Sequence, residues 1–255
     1  MSSQSTSASA TARRAALIRP MVICPIVTRP TVTCPVGICR VAICLIVTCV
    51  MAAMTPAATR AATLTVSVLD PHGQAVPGTV VVAVPQHVAA PASRAASAVM
   101  DQLNKAFVPE VLVIRSGTSV VFPNSDAVSH QVYSFSPAKR FELPLYRGQP
   151  NAPILFDQPG VVVLGCNIHD TMTGYIYVTD SPWFGTADEK GQWHVASLPA
   201  GDYRITIWNP HFAREEQSVE QSLSLGAEQT AAIRFQLRQT IRRAPKTADA
   251  RIRDY

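Results

Sequence analysis

Apolar and polar residues alternate with a period of two in the segment that follows the N-terminal 60 residues. Thr63–Leu69 shows this alternation, and a second β-rich run covers Thr79–Val84. Asp70–Gln74 lies between the two runs and has the Asp, Pro and Gly content of a turn. Because a period of two is typical of half-buried strands, this pattern predicts a β-hairpin.

The same pattern recurs in short segments along the rest of the chain. The further predicted strands are Val111–Ile114, Ser119–Phe122, a strand through Phe141, Leu143 and Leu145, and the segments Val219–Leu225 and Thr230–Leu237. Residues rich in Ala, Pro and Ser at Ala89–Ala98 predict an exposed loop or linker. We therefore predict an all-β protein.

The N-terminal segment has the pattern of an export signal. Arg40 precedes the apolar run Val41–Met54, and mostly small residues follow it. We expect residues 1–60 to be a signal peptide, with cleavage near Ala57 to Ala62. The alternative is an uncleaved segment that associates with the membrane, although the run is short for a bilayer span. Both alternatives place the remainder outside the cytoplasm, as a periplasmic or otherwise exported protein.

The basic character of the chain is confined to its ends. The formal net charge is +5, but residues 1–60 contain six Arg and no acid. Residues 238–255 contain six basic and two acidic side chains, which leaves 10 basic against 15 acidic side chains in residues 61–237. This balance argues against a nucleic-acid partner. We expect residues 239–255 to form a frayed basic tail, with contact to membrane phosphates as the weaker alternative.

Cysteine is distributed unevenly along the chain. Five Cys lie within the first 50 residues, and Cys166 is the single Cys of the remainder. The exported body therefore cannot form an internal disulfide. A lone cysteine in such a body is expected to be a reactive thiol or a metal ligand.

The segment Cys166–Met172 combines three soft or borderline metal donors within seven residues: a thiolate, the imidazole of His169 and a thioether. Donors of this kind suit a redox-active metal such as copper. His130 lies where a polar loop passes into an alternating strand, and it supplies a further nitrogen donor. Each residue alone has an ordinary structural explanation, so the prediction of a metal site depends on all of them together.

The residues from about 100 to 179 resemble the cupredoxins, the blue copper proteins. The likeness includes Phe107–Pro109, the strand Gly117–Asn124 and the loop spacing Cys-x2-His-x2-Met. This short spacing is amicyanin-like, and the segment also resembles cupredoxin-like proteins labelled methylamine utilisation proteins.

The resemblance implies one copper ion that cycles between Cu(I) and Cu(II). Carried over by position, the ligands are His130, Cys166, His169 and, as a weak axial donor, Met172. The resemblance also implies that Asn124 ties the two ligand loops together, with its amide reaching the backbone just after Cys166.

The flanking segments resemble a carboxypeptidase-regulatory-like domain, which is a small transthyretin-like β-sandwich. Residues 63–85 match the first part of that pattern, and residues 186–238 match the remainder, including Leu-Pro-x-Gly at Leu198–Gly201. The resemblance implies that a cupredoxin Greek-key sandwich at 99–180 is inserted into this second sandwich. The alternative is an enlarged cupredoxin that includes the first strands and is followed by a separate C-terminal sandwich.

The complete ligand set predicts electron transfer rather than catalysis, because it leaves no coordination position for a substrate. We expect a protein redox partner and no small-molecule substrate. Two alternatives stay open: a binding or scaffold protein with a structural or copper-storing cupredoxin, and a mononuclear enzyme of copper or of a different metal in which Met172 is displaced. Four aromatic residues are expected either to pack the core or to form a docking face: Tyr133, Phe135, Phe141 and Tyr146.

Overall fold

The computed structural model describes residues 61–87, 95–150, 152–214 and 217–241. These residues form 17 β-strands and no α-helix, which confirms the predicted all-β class. Within them there is no helix of the length and apolarity that crossing a membrane requires. The predicted signal peptide or anchor at 1–60 lies outside the described residues, as do residues 242–255 of the predicted tail.

The strands are short and follow one another through turns and loops. In chain order they are β1 Ala62–Leu69, β2 Val80–Pro85, β3 Ala96–Val99, β4 Asp101–Leu103, β5 Ala106–Val108, β6 Val111–Arg115, β7 Thr118–Val121, β8 His130–Ser136, β9 Lys139–Tyr146, β10 Ile154–Phe156, β11 Gly160–Gly165, β12 Thr173–Thr179, β13 Trp183–Thr186, β14 Gln192–Leu198, β15 Gly201–Trp208, β16 Ser218–Leu225 and β17 Thr230–Gln236.

Strands from both ends of the described chain form two sheets that share one core, and we call them the terminal sheet pair. One sheet has the order β14-β1-β17 and the other β13-β2-β15-β16. Alternate residues of β1, including Leu64 and Val66, are buried in the same hydrophobic cluster as Tyr203 and Ile205 of β15. The domain boundaries given for these segments in the sequence analysis stay predictions.

The predicted hairpin of β1 and β2 is wrong. β1 pairs with β14 and β17, whereas β2 pairs with β13 and β15 in the other sheet. The Asp70 carboxylate accepts the backbone N–H groups of His72 and Gln74, which begins the turn between the two sheets. Alternation is the same for strands that are neighbours in one sheet and for strands that face each other across a core, so the pattern did not separate the two arrangements.

The middle of the chain forms the central sheet pair. A five-stranded sheet has the order β6-β12-β11-β8-β9, and a three-stranded sheet has the order β10-β7-β3. Their inward residues form a second hydrophobic cluster, in which Phe122 and Phe156 lie with ring centroids 6.4 Å apart. Cys166 and Met172 are buried in this same cluster, so two of the four candidate metal ligands belong to the core of the central sheet pair.

The outer faces of two sheets meet between the central and terminal pairs. A third cluster joins Val80, Val82 and Trp208 of the terminal pair to Tyr175 and Tyr177 on β12. The Trp208 ring lies 5.8 Å from that of Tyr175 and 5.5 Å from that of Tyr177, measured between centroids. These rings exclude water from the contact and connect the two sheet pairs through apolar packing.

Candidate metal centre

His130 is the first residue of β8, and its side chain is fully buried. Burial alternates along this strand, with His130, Val132 and Ser134 buried and the intervening residues more exposed. Since successive side chains of a strand point to opposite faces, His130 faces the core together with Val132. The alternation that predicts a strand after the polar loop therefore also places the imidazole inside.

Cys166 and His169 lie in the loop between β11 and β12. The N–H of Met172 donates to the carbonyl of His169 over 2.9 Å, which closes the loop on itself. The Cys166 Sγ atom is 3.8 Å from Nδ1 of His130 and 3.8 Å from Nδ1 of His169. All three atoms lie within 4.8 Å of one another, and the described part of the chain has no second such cluster of His, Cys, Asp and Glu donors.

These separations fit three ligands of one metal ion. Thiolate and imidazole ligands bind a transition metal at roughly 2.0–2.3 Å, so two ligands of a shared ion lie a few ångströms apart. One thiolate with two imidazoles suits copper. Cys166 is only 3% exposed, which keeps its sulfur away from water. The structure thus brings together the three predicted ligands His130, Cys166 and His169.

Met172 is 1% exposed and belongs to the same hydrophobic cluster as Cys166. This position is compatible with an axial thioether donor and equally with packing in the core. The axial role of Met172 therefore stays a prediction.

Asp126 is a residue of the site that the sequence analysis missed. Its Oδ2 atom is 2.7 Å from Nε2 of His130. A carboxylate at Nε2 favours the proton on that nitrogen and leaves Nδ1 as the free donor for a metal. The spacing of four residues between an acid and a candidate histidine ligand was the available signal in the sequence.

The Asp126 carboxylate is itself held in place by the β4–β5 turn. The backbone N–H groups of Asn104 and Lys105 donate to Asp126 over 2.6 and 2.8 Å. Both turn residues have positive φ, as in a two-residue I′ turn. Burial acts to raise the pKa of Asp126, but the bonds from Lys105, His130 and Asn104 outweigh it and lower the pKa below its usual value. The carboxylate is therefore ionised beside His130.

His169 is the more accessible of the two candidate histidine ligands, and it is partly buried. Loss of hydration, together with the nearby His130 ring, lowers the pKa of His169 below its ordinary value. The two rings lie 4.9 Å apart between centroids. A lowered pKa favours the neutral imidazole, which is the form that binds metals.

The side chain of Asn124 is buried and fully hydrogen-bonded, but not to the expected partner. Its Nδ2 atom donates to the carbonyls of Val128 and Tyr146, each over 2.9 Å. Its Oδ1 atom accepts the backbone N–H of Asp126 over 3.0 Å. The expected bond to the backbone just after Cys166 is therefore wrong. Asn124 instead fixes the loop that carries Asp126 and leads into His130.

The four aromatic residues separate into two groups. Phe141 and Tyr146 pack against the buried cluster of the central sheet pair. Phe135 is 74% exposed, and the ring of Tyr133 lies 5.2 Å from it between centroids. Core packing therefore accounts for one pair, and the other pair faces outward.

Comparison with solved structures finds similarity to copper proteins. A copper-containing nitrite reductase from Thermus scotoductus matches with 28% identity over 37% of this chain and a TM-score of 0.32, and the match spans 25% of the reductase chain. An oxidised mutant of amicyanin matches with 20% identity over 32% of this chain and 80% of its own, with a TM-score of 0.30.

A purple cupredoxin from Nitrosopumilus maritimus matches with 24% identity over 33% of this chain and 99% of its own, with a TM-score of 0.29. No model of a protein family and no curated protein matches the sequence. The assignment of copper to the site accordingly depends on the positions of the donor atoms in this chain.

Proposed function

We propose that this protein is an exported type 1 copper protein that transfers single electrons, with one copper ion held by His130, Cys166, His169 and the axial donor Met172. The observation that carries the proposal is the position of the Cys166 sulfur, 3.8 Å from each of the two imidazole Nδ1 atoms. Two imidazoles and a thiolate with a weak axial thioether are the donors of blue-copper electron-transfer sites.

The bound copper supplies a Cu(II)/Cu(I) couple, and the chain supplies the geometry around it. His130 is held by β8 on one side and by Asp126 on the other. Cys166 follows directly on β11, which is paired with β12 along its length. Because both oxidation states accept these donors, ligands held in this way let an electron pass with little rearrangement.

The proposal of a non-catalytic role follows from the same ligand set. With Met172 as the fourth donor, no position remains for a substrate, whereas catalytic metal sites keep one position open. The partner is then a redox protein. The apolar run behind Arg40, with the small residues that follow it, supports a location outside the cytoplasm.

The test is the visible spectrum of the purified mature protein after loading with Cu(II). We expect an intense thiolate-to-copper band in the visible range, near about 600 nm. The band should disappear in Cys166→Ser and in His169→Gln. His211→Gln is the matched control, because His211 lies outside the cluster and contacts Glu110.

Reversible one-electron titration of the coloured protein separates electron transfer from copper storage. A loaded protein that stays colourless, or that cannot be cycled, contradicts the proposal. Turnover of a small substrate such as nitrite by the wild-type protein contradicts the non-catalytic part alone.

A further inference from the structure

The outer face of the five-stranded sheet has an apolar part that no other segment of the described chain covers. Phe135 on β8 is 74% exposed, and Val163 on β11 is 44% exposed. Tyr133 lines one groove together with both of them and is partly exposed. We call these three residues the open patch. Exposed apolar patches of this kind mark interaction sites more often than isolated apolar residues do.

The open patch continues an interface that the chain already forms within itself. Val163 pairs with Tyr175 and Val161 pairs with Tyr177 across β11 and β12. Val161 and both tyrosines pack against the Trp208 layer of the terminal sheet pair, whereas Val163 remains exposed. One sheet face is therefore buried on the β12 side and open on the β8 side, with the boundary running along β11.

The open patch is bordered by two grooves and by two residues of opposite charge. Two shallow grooves of about 360 and 220 Å³ adjoin it, and Tyr133 and Phe135 line both of them. The residues opposite the two aromatic residues on β9 are Arg140 and Glu142, one positive and one negative. An apolar centre with a polar rim of no net charge fits a partner with an uncharged, apolar contact face.

The open patch is connected to the candidate metal ligand through Gly165. Tyr133 and Gly165 are paired residues on neighbouring strands. A Cβ atom added at Gly165 would lie 2.7 Å from Cζ and 2.8 Å from the hydroxyl oxygen of Tyr133, so the ring lies directly against this glycine. Gly165 is bonded to Cys166. The aromatic ring thus lies against the residue that precedes Cys166 in the chain, and it reaches the surface beside Phe135.

From this arrangement we infer that the open patch is the docking surface of a redox protein with an apolar contact face, and that electrons reach the site through Tyr133, Gly165 and Cys166. The inference rests on the proposed copper function. One electron passes from the reduced partner to the oxidised site, and the partner leaves oxidised by one electron. No bond is made or broken and no proton is transferred. The Tyr133 ring provides the contact and is not itself oxidised.

The alternative point of electron entry is the ligand loop itself, where Ile168 is 52% exposed next to His169. A rival occupant of the open patch is a second copy of this chain. The test therefore compares a substitution in the patch with one at Ile168 and includes the oligomeric state.

The probe is a gold electrode coated with an octanethiol monolayer, which presents an uncharged apolar surface. The copper-loaded mature protein is adsorbed, and the interfacial electron-transfer rate is measured by voltammetry. We expect Phe135→Asp to lower the rate by about tenfold or more, as for loss of a central contact residue. Tyr133→Leu should lower the rate although it keeps the patch apolar. Leu155→Asp is the matched control, because Leu155 is 46% exposed on β10 in the other sheet.

Adsorption of the metal-free protein to the same monolayer gives a readout that does not need copper. Phe135→Asp should weaken this adsorption, and Leu155→Asp should leave it unchanged. Equal rates and equal adsorption for wild type and Phe135→Asp overturn the inference, as does a loss of rate confined to Ile168→Asp. A wild-type dimer that Phe135→Asp dissociates also overturns it, in favour of self-association. A wild-type protein that stays colourless after copper loading contradicts the proposed function. The electron route through Tyr133, Gly165 and Cys166 is then contradicted as well.

Discussion

The Nε2 atom of His130 and the Oδ2 atom of Asp126 lie 2.7 Å apart, with the histidine side chain fully buried and the carboxylate 11% exposed. The contact holds the imidazole by the nitrogen that faces away from Cys166. It also places an ionised carboxylate next to the candidate copper ligand. Such partners orient a ligand and raise its basicity, and both effects favour metal binding.

Replacement of Asp126 by Asn should weaken copper binding. The amide keeps the size of the side chain but removes the negative charge at His130 Nε2. We expect the copper affinity to fall by about 10- to 100-fold, with a higher reduction potential because the lost charge stabilised Cu(II) more than Cu(I). Competition with a chelator measures the affinity, and voltammetry measures the potential.

The control for this variant is Asp157→Asn. Asp157 is a carboxylate of 54% exposure that lies 3.7 Å from Lys139. Its replacement should leave the affinity unchanged. Equal affinities of the Asp126 variant and wild type would show that the contact with His130 does not tune the site.

Replacement of Met172 by Leu separates the two roles that its burial allows. Leu keeps nearly the same volume, so the cost in stability should be below about 1.5 kcal/mol. If the thioether is the axial donor, the reduction potential rises, because Cu(II) loses more than Cu(I) when a donor is removed. Voltammetry and the visible spectrum provide the measurement.

Met100→Leu is the matched control for Met172. Met100 is fully buried in the same hydrophobic cluster. The Met100→Leu variant should show a similar small loss of stability and an unchanged reduction potential. An unchanged potential in the Met172 variant would make this residue a packing residue alone.

The ligands could be predicted from the sequence because their chemical types are rare in combination. Cys166 is the single Cys after residue 50 and lies three residues before a histidine. These residue types indicate a metal site without any knowledge of tertiary contacts. Asp126 is different. An acid in a polar loop resembles an ordinary turn residue, and its role becomes visible only when β8 and the β4–β5 turn place it between His130 and two backbone N–H groups.

Pairing partners could be predicted less well than strands. Alternation identified β1, but it carries no information on whether β2 is its neighbour or faces it across the core. In β8 the alternation also predicts which side chains face the core. Once His130 is placed inside, Tyr133 and Phe135 must face outward, since they are an odd number of residues away. The packing of Trp208 on Tyr175 and Tyr177 had no such local signal, because it joins segments that are distant in sequence.

Replacement of Trp208 by Ala should uncouple the two sheet pairs. The indole is 7% exposed and contacts two tyrosine rings of the central sheet pair. Its loss should cost about 3–5 kcal/mol. Since the lost contact lies between the pairs, we expect calorimetry to show two unfolding transitions in place of one.

Trp193→Ala is the matched control for this variant. Trp193 is also 7% exposed, but it lies in the hydrophobic cluster within the terminal sheet pair. It should lower the stability of that pair without removing the contact to the central pair. A single transition in Trp208→Ala would mean that other contacts couple the pairs.

Stability should fall at alkaline pH because several tyrosines resist ionisation in the folded state. Burial raises the pKa of Tyr146 to about 12. Burial and, to a smaller extent, Glu220 raise the pKa of Tyr177 above its usual value of 10.0. Above pH 10 the unfolded chain therefore releases protons that the folded chain retains. The folded state is then the one with more bound protons, so the free energy of unfolding decreases as pH rises.

Tyr177→Phe tests this directly, because it removes one ionisable hydroxyl and keeps the ring that packs on Trp208. Urea denaturation between pH 8 and 12 should show a constant free energy of unfolding for wild type up to about pH 10 and a decline above it. The decline should be shallower in Tyr177→Phe. Below pH 9 the free energy of unfolding should depend on pH in the same way in both proteins. Parallel declines of the two proteins above pH 10 would show that Tyr177 ionises as readily in the folded state as in the unfolded state, and would contradict its burial as the cause.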